Sequence, residues 1–145
     1  MMELIQIKDT DKLYQQALDL RYELFFKQPN LPREILFDSL ENNSVHIAVA
    51  CEDNLYAYGR LSEGRPNQFK ISQMVVRPDM QGQGLGTQVL TKLTDIARER
   101  KAKQIYLNAR LHAIKMYENL GFKISGDAFV AQSTGVPHIK MVRDY

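Results

Sequence analysis

A glycine-rich turn between an apolar strand and a long amphipathic segment constrains this chain more than any other feature. The turn is Gln81-Gly82-Gln83-Gly84-Leu85-Gly86, and it follows the apolar run Met74-Val75-Val76. Apolar residues then recur at spacings of three and four until about Lys101, which predicts a helix. Because glycine has no Cβ, a ligand can approach the backbone N–H groups closely. At a helix N-terminus those groups favour an anion, most naturally a phosphate.

The remaining pattern predicts an α/β (α+β) fold with a mixed, mostly antiparallel sheet of six to seven strands and about four helices. Strands are expected at residues 3–7, 45–51, 55–61, 69–76, 104–109, 122–130 and 138–142, and helices at 13–25, 33–40, 85–101 and 112–120. Short turns join the three strands between residues 45 and 76, which indicates an antiparallel meander. The strand–helix–strand segment that follows indicates a parallel crossover.

Composition narrows the class of protein. A chain of 145 residues fits one domain, expected over 1–145, and the net charge of +2 with scattered basic residues argues against nucleic-acid binding. No apolar run approaches the ~20 residues that span a bilayer, and the N-terminus lacks a signal-peptide pattern, so no membrane partner is expected. The single cysteine, Cys51, is expected to be a buried, inert thiol in a cytoplasmic protein. No cluster of residues has metal-ligand spacing, so we expect no metal.

Two common phosphate-binding motifs fit the glycine turn poorly. A Walker A loop requires a lysine after its last glycine, but Gly86 is followed by Thr87 and Gln88. A Rossmann fingerprint requires Gly-x-Gly-x-x-Gly and an acidic residue after the next strand. Here the three glycines alternate, and the next strand ends in Asn108-Ala109-Arg110.

A third motif fits both the turn and a segment downstream. Residues Gln81 to Gly86 satisfy Gln/Arg-x-x-Gly-x-Gly/Ala, and His112 to Phe122 has the form of a short helix with a tyrosine followed by Gly-Phe. On these residues the chain resembles the GNAT superfamily of acetyl-CoA-dependent N-acetyltransferases, over roughly residues 45 to 130. Leu20 to Phe25 and Gly135 to Met141 are similar to its ElaA-like branch. The resemblance implies a splayed parallel strand pair in the sheet and acetyl-CoA as the acyl donor.

The resemblance also implies which residues contact acetyl-CoA. Backbone groups of the strand before the turn would pair with the pantetheine arm, the turn would hold the pyrophosphate, and the following strand and helix would complete the site. His112 departs from the asparagine that many relatives carry. The implied cofactor-binding residues are Met74, Val75, Val76, Gln81, Gly82, Gln83, Gly84, Leu85, Gly86, Thr87, Asn108, His112, Ala113 and Tyr117.

Tyr117 is the implied catalytic residue. It would act as the general acid for the departing thiolate, because a phenol of pKa ≈ 10 lies near the pKa of an alkyl thiol. The base that accepts the proton of the amine is left open by the sequence. Its candidates are Glu23, Glu63, Asp127, His138 or water, and the Gly-Val-Pro-His context favours His138.

Three functions remain open at the level of sequence. The first is transfer of an acetyl group from acetyl-CoA to a primary amine by direct attack in a ternary complex. The alternatives are a non-catalytic CoA-binding regulatory module and a different nucleotide-binding protein. The acceptor would be a small-molecule or peptide amine, to which Glu23, Glu34 and Asp38 could supply negative charge. A homodimer through the terminal strands is possible.

Overall fold

The computed structural model describes residues 1–145 and builds one sheet of eight strands. The order across the sheet is β1-β2-β3-β4-β5-β8-β6, and β7 also pairs with β8. The strands are β1 (Glu3–Ile7), β2 (Val45–Cys51), β3 (Asn54–Glu63), β4 (Gln68–Val76), β5 (Gln104–Arg110), β6 (Lys123–Ile124), β7 (Phe129–Val130) and β8 (Pro137–Asp144).

Three α-helices and several short helical turns connect the strands. The α-helices are α1 (Lys12–Arg21), which continues as a π-helical segment (Tyr22–Phe26), α2 (Leu85–Glu99) and α3 (Ile114–Asn119). Single 3₁₀ turns occur at Arg33–Leu36, Glu41–Asn43, Pro78–Met80 and Leu111–Ala113. None of these helices is both long enough and apolar enough to cross a bilayer.

Strand pairing confirms the predicted mixed sheet. The meander β2-β3-β4 is antiparallel, and α2 connects β4 to its parallel neighbour β5. The parallel register covers only Gln68 to Lys70 opposite Gln104 to Tyr106. Beyond this short register the two strands separate, so the predicted splayed pair is present.

The structure differs from the sequence predictions in three places. The strand predicted over residues 122–130 is two short strands, because Gly126 adopts a left-handed φ of 102° between them. The helix predicted over 33–40 is only the turn Arg33–Leu36, and Phe37 after it leaves helical geometry at ψ 70°. Cys51 lies at the end of β2 and is partly exposed rather than buried.

Two apolar cores cover the opposite faces of the sheet. One core joins α2, through Val89 and Leu93, to inward residues of the strands such as Ile105. The other joins α1, through Ala17 and Leu18, to the other face. β4 contributes Ile71 to the first core and Val75 to the second, whereas the core residues of β5 all belong to the first. Side chains alternate between faces along a strand, so the gap between these two strands is bordered by side chains on both faces.

Candidate active site

A cleft of about 950 Å³ occupies the place where β4 and β5 separate. Its walls come from both strands, from the turn before α2, from α3 and from the loop that precedes β8. The π-helical segment closes one end through Leu24, Phe25 and Phe26.

The glycine turn leaves the start of α2 open to the cleft. Gly82 and Gly84 both have a φ of 79°, a left-handed conformation that favours glycine. Gly84 directly precedes α2, and no side chain caps the first N–H groups of that helix. The amide of Gln81 donates to the carbonyl of Val76 over 3.2 Å, which ties the turn to the end of β4. The free N–H groups and the helix dipole make this end of the cleft suited to an anion.

The second half of β4 presents unpaired backbone to the cleft. Its register with β3 shifts between Tyr58 and Arg60, and Gln73 adopts a left-handed φ of 59° at this bulge. On its other side, the strand has no partner from Ile71 to Val76, because β5 pairs only as far as Lys70. Backbone N–H and C=O groups on this edge are therefore available to an extended ligand.

An ion cluster, which we define as the buried residues Arg21, Glu41 and Arg60 together with the more exposed Asp38, contacts this strand. Arg21 donates to both oxygens of Glu41, over 2.8 and 2.9 Å. Arg60 donates to Glu41 over 2.7 Å and forms a two-bond pair with Asp38 over 2.9 and 3.0 Å. Arg21 and Arg60 are 0% and 1% exposed, so each buried charge has a partner.

The ion cluster also contacts the bulge of β4. Arg21 Nε donates to the side-chain oxygen of Gln73 over 3.2 Å, and Arg60 Nε donates to the hydroxyl of Ser72 over 3.0 Å. Both Ser72 and Gln73 line the cleft. The cluster therefore fixes the part of β4 from which the strand leaves its neighbour. Arg21 belongs to the segment whose sequence is similar to the ElaA-like branch. Arg21 does not line the cleft, and its side chain holds Glu41 and Gln73 in place.

Tyr117 lies in the wall of the cleft on α3. It is 6% exposed, and its ring packs edge-to-face on Phe122 with centroids 6.1 Å apart. Burial raises the pKa of its phenol to about 12. The hydroxyl has no hydrogen-bond partner in the protein and is not fully enclosed, so it can donate to a group in the cleft.

Most of the residues that the sequence singled out line the cleft, and Gln83 does not. The lining residues from that set are Met74, Val75, Val76, Gln81, Gly82, Gly84, Leu85, Gly86, Thr87, Asn108, His112, Ala113 and Tyr117. The side chain of Gln83 is exposed at the outside of the turn.

Among the candidate bases, only His138 lines the cleft. Its Nδ1 is 2.8 Å from the carbonyl oxygen of Val136. A carbonyl only accepts, so in the neutral ring Nδ1 carries the proton and Nε2 keeps a free lone pair. Glu23, Glu63 and Asp127 lie outside the cleft, and Glu23 pairs with Lys27 on the surface.

The positive charge of the cleft lining was not predicted from the sequence. Lys70 and Arg110 line it, and no Asp or Glu does. The expectation that Glu23, Glu34 and Asp38 would supply negative charge is wrong, because none of the three reaches the cleft and Asp38 pairs with Arg60. The alternation of Leu107, Asn108, Ala109 and Arg110 on β5 was the available signal, since it puts Arg110 on the same face as Asn108.

No metal centre is evident in the structure. No group of three or more His, Cys, Asp or Glu side chains is placed to hold a metal ion. The chemistry that the cleft offers its ligands includes backbone N–H donors, a phenol, the two imidazoles of His112 and His138, and two cationic side chains.

Comparison with known proteins agrees with this geometry. The acetyltransferase (GNAT) family model matches residues 10–122. YjcF of Bacillus subtilis, an uncharacterized N-acetyltransferase, is 27% identical over 143 residues, which cover 99% of this chain and 100% of that protein. The crystal structure of Escherichia coli ElaA has a TM-score of 0.84 at 23% identity, over 99% of this chain and 100% of that one.

A second solved structure is an aminoglycoside 6′-N-acetyltransferase in complex with coenzyme A. Its TM-score is 0.79 at 17% identity, over 98% of this chain and 96% of that one. The resemblance predicted from the glycine turn and the tyrosine helix is thus confirmed across almost the whole fold. This chain belongs to the GNAT family of acetyltransferases.

Proposed function

We propose that this protein transfers an acetyl group from acetyl-CoA to a primary amine by direct attack in a ternary complex. One observation carries the proposal: the same cleft is lined by the open start of α2, by the separated parts of β4 and β5, and by His138. A donor and an acceptor can therefore occupy it together. Neither a covalent acyl-enzyme nor a second site is needed.

The donor half follows from the backbone. The N–H groups of the turn from Gln81 to Thr87 would bind the pyrophosphate at the start of α2. The free edge of β4 at Met74, Val75 and Val76 would pair with the amides of the pantetheine arm, and Asn108 would contact that arm from β5. His112 and Ala113 border the same channel.

The chemistry requires one proton acceptor and one donor. As the amine nitrogen bonds to the thioester carbon, it loses a proton, which Nε2 of His138 can accept directly or through water. A backbone N–H on the free edge of β4 can stabilise the carbonyl oxygen while it is negative. The carbon–sulfur bond then breaks, and the Tyr117 hydroxyl donates a hydrogen bond, and then its proton, to the departing sulfur. The products are the N-acetyl amine and CoA.

A CoA-binding regulatory module of the same fold is the alternative function. The free hydroxyl of Tyr117 in the cleft favours the enzyme, because a module that only binds CoA has no need of a proton donor at that position. We further propose that residues 1–145 act as one domain and that the protein works in the cytoplasm, where its single cysteine would stay reduced.

Two measurements test the proposal. Isothermal titration with acetyl-CoA, CoA, NAD and ATP should show binding of the two CoA species only. Thiol release should then be measured with acetyl-CoA and a broad panel of primary amines. Tighter binding of NAD or ATP would overturn the donor assignment. Binding of CoA without turnover of any amine would favour the regulatory module.

A further inference from the structure

The cleft contains two positive side chains and no acidic one. Lys70 and Arg110 both line it, and no lining residue is acidic. Neither side chain forms an ion pair or a hydrogen bond within the protein, and each only faces an aromatic ring. The guanidinium of Arg110 is 4.8 Å from the ring centroid of Phe25, and Nζ of Lys70 is 6.0 Å from that of Tyr106.

Strand register puts both cations on the face of the sheet opposite α2. Lys70 pairs with Tyr106 across the parallel register. Arg110 lies four residues beyond Tyr106 on β5, which corresponds to about 13 Å between the Cα atoms of Tyr106 and Arg110. The residues between them, Leu107 and Ala109, point into the core under α2. The two cations therefore lie on the face of the sheet away from the core beneath α2. We assign the N-terminus of α2 to the pyrophosphate, and we place the entry of the acceptor on the side of the cations.

Two further residues with basic side chains share this face, and of these only His138 lines the cleft. His138 pairs with Arg110, and Lys140 pairs with Asn108, so both share the face. One carboxylate, Asp38, acts on Lys70 and partly offsets the lowering of its pKa. Both oxygens of Asp38 are already held by Arg60, which shares Glu41 with Arg21. The acceptor end of the cleft therefore has a surplus of positive charge and no acidic side chain in its lining.

Partial burial makes this surplus unfavourable in the empty protein. Burial lowers the pKa of Arg110, and burial together with the charge of Arg60 lowers the pKa of Lys70. A desolvated cation without a partner loses hydration that no protein group replaces. An anionic ligand would replace it, and the planar guanidinium of arginine suits a two-bond contact with a carboxylate or a phosphate.

We propose that the acceptor is a small primary amine that also carries an anionic group, a carboxylate or a phosphate, held by Arg110 and Lys70. This inference rests on the proposed acetyltransferase function and specifies its substrate class. The anionic group binds on the face opposite α2, and the amine points into the gap between β4 and β5. Polycationic amines, such as polyamines and aminoglycosides, meet like charge in this cleft and are poor acceptors.

The test uses pairs of amines that differ in their anionic group. The panel contains the common α-amino acids against their amides, O-phosphoethanolamine against ethanolamine, and spermidine and kanamycin as polycations. Thiol release gives kcat/KM for each, and titration of each amine into the CoA-saturated protein gives its Kd without any need for turnover. We expect the best acceptor to carry an anionic group and to be preferred over the partner that lacks this group by about 10- to 100-fold, as charged hydrogen bonds of this kind contribute.

Two variants locate the preference. The anion preference is the kcat/KM of an amine with an anionic group divided by that of its partner without one. Arg110→Gln should lower this ratio by about 10- to 100-fold, chiefly through KM, and Arg110→Lys should restore part of it. Lys140→Met is the matched control, since its Nζ lies 5.1 Å from the same Tyr106 ring but outside the cleft lining, and the ratio should be unchanged. The Kd of CoA should be unchanged in all three variants.

Each outcome decides the inference. It is overturned if spermidine or kanamycin is the best acceptor, if no anionic amine binds the CoA-saturated protein, or if Arg110→Gln weakens CoA itself, since the cation would then serve the donor. The amino acid and phosphoethanolamine arms tell carboxylate from phosphate. If anionic amines bind but none is acetylated, the substrate class stands as a binding preference and the acetyltransferase proposal fails.

Discussion

The acidity of Tyr117 is set by burial alone, and this defines what the side chain can do. No charged group or hydrogen bond offsets the effect of burial, and the pKa rises to about 12. With an ordinary pKa near 10, the phenol would transfer its proton to an alkyl thiolate in an almost balanced step. With a pKa of about 12, the phenol is a weaker acid than an alkyl thiol, so this transfer is uphill. We therefore expect Tyr117 to stabilise the departing sulfur by hydrogen bonding before the proton moves.

Tyr117→Phe tests this role because it keeps the ring and its contact with Phe122. We expect kcat to fall by about 100-fold or more, with little change in the Kd of acetyl-CoA. A phenol of ordinary pKa would be half ionised at pH 10, and the rate would already have fallen by that pH. Because Tyr117 stays protonated, its ionisation should cause no decline of the native rate up to about pH 10. Thiol release across this pH range is the measurement. A variant as fast as the native protein would remove Tyr117 from the mechanism.

At the scale of elements, β4 and α2 were predictable and their support was not. The strand, the glycine turn and the helix are contiguous, and hydrophobic spacing reports them directly. The ion cluster that holds the bulge of β4 joins Arg21, Glu41 and Arg60, which are separated by 20 and 19 residues. Each alone resembles a solvated surface charge. Only the fold, with the turn Glu41–Asn43 placed beneath the sheet, brings them together.

Gly59 of β3 packs tightly against α2 and against Met74 of β4. A Cβ at this position would lie 2.5 Å from Met74 Sδ, 2.7 Å from Val89 Cγ1 and 2.9 Å from Leu93 Cδ1. Gly59→Ala should therefore lower the free energy of unfolding by about 1–3 kcal/mol. Because Met74 lines the cleft, the variant should also weaken acetyl-CoA binding. Urea denaturation and titration measure the two effects.

Gly64→Ala provides the matched control for this packing prediction. A Cβ there meets no atom within 4 Å, so the free energy of unfolding should change by less than about 0.5 kcal/mol. Equal denaturation midpoints for the two alanine variants would show that α2 can move away from β3 without loss.

For the whole molecule, the residues that we propose for the donor half could be predicted from the sequence, whereas those that we propose for the acceptor half could not, apart from His138. The residues of the proposed donor half belong to two motifs, each of which is contiguous in the sequence. The acceptor half takes Phe25 from the segment after α1, Lys70 from β4, Arg110 from β5 and His138 from β8. No local pattern relates these residues. Their common face depends on strand order and register, which hydrophobic spacing alone does not determine.

Glu41 of the ion cluster and its neighbour His46, whose Nδ1 lies 4.0 Å from a Glu41 oxygen, should make the stability of the whole molecule depend on pH in two steps. Burial lowers the pKa of His46 below 6.5, so the unfolded chain binds more protons than the native state below that pH, and stability falls as the pH drops through 6.5. Burial by itself would raise the pKa of Glu41, but its bonds with Arg21, Tyr14 and Arg60 outweigh burial and lower it from 4.5 to about 2. Stability from Glu41 is therefore complete above pH 4.5 and is lost toward pH 2, a loss of about 3 kcal/mol.

Glu41→Gln separates the second step from the first. Removing the charge leaves Arg21 and Arg60 buried with one carboxylate fewer, so the free energy of unfolding at pH 7 should fall by about 3–5 kcal/mol. The decline of stability between pH 4.5 and pH 2 should become shallower in this variant, while the decline that begins near pH 6.5 remains. Asp127→Asn, at an exposed position outside the cluster, should follow the native curve. Urea unfolding at several pH values gives all three curves, and a Glu41→Gln curve parallel to the native one would mean that the cluster does not control acid stability.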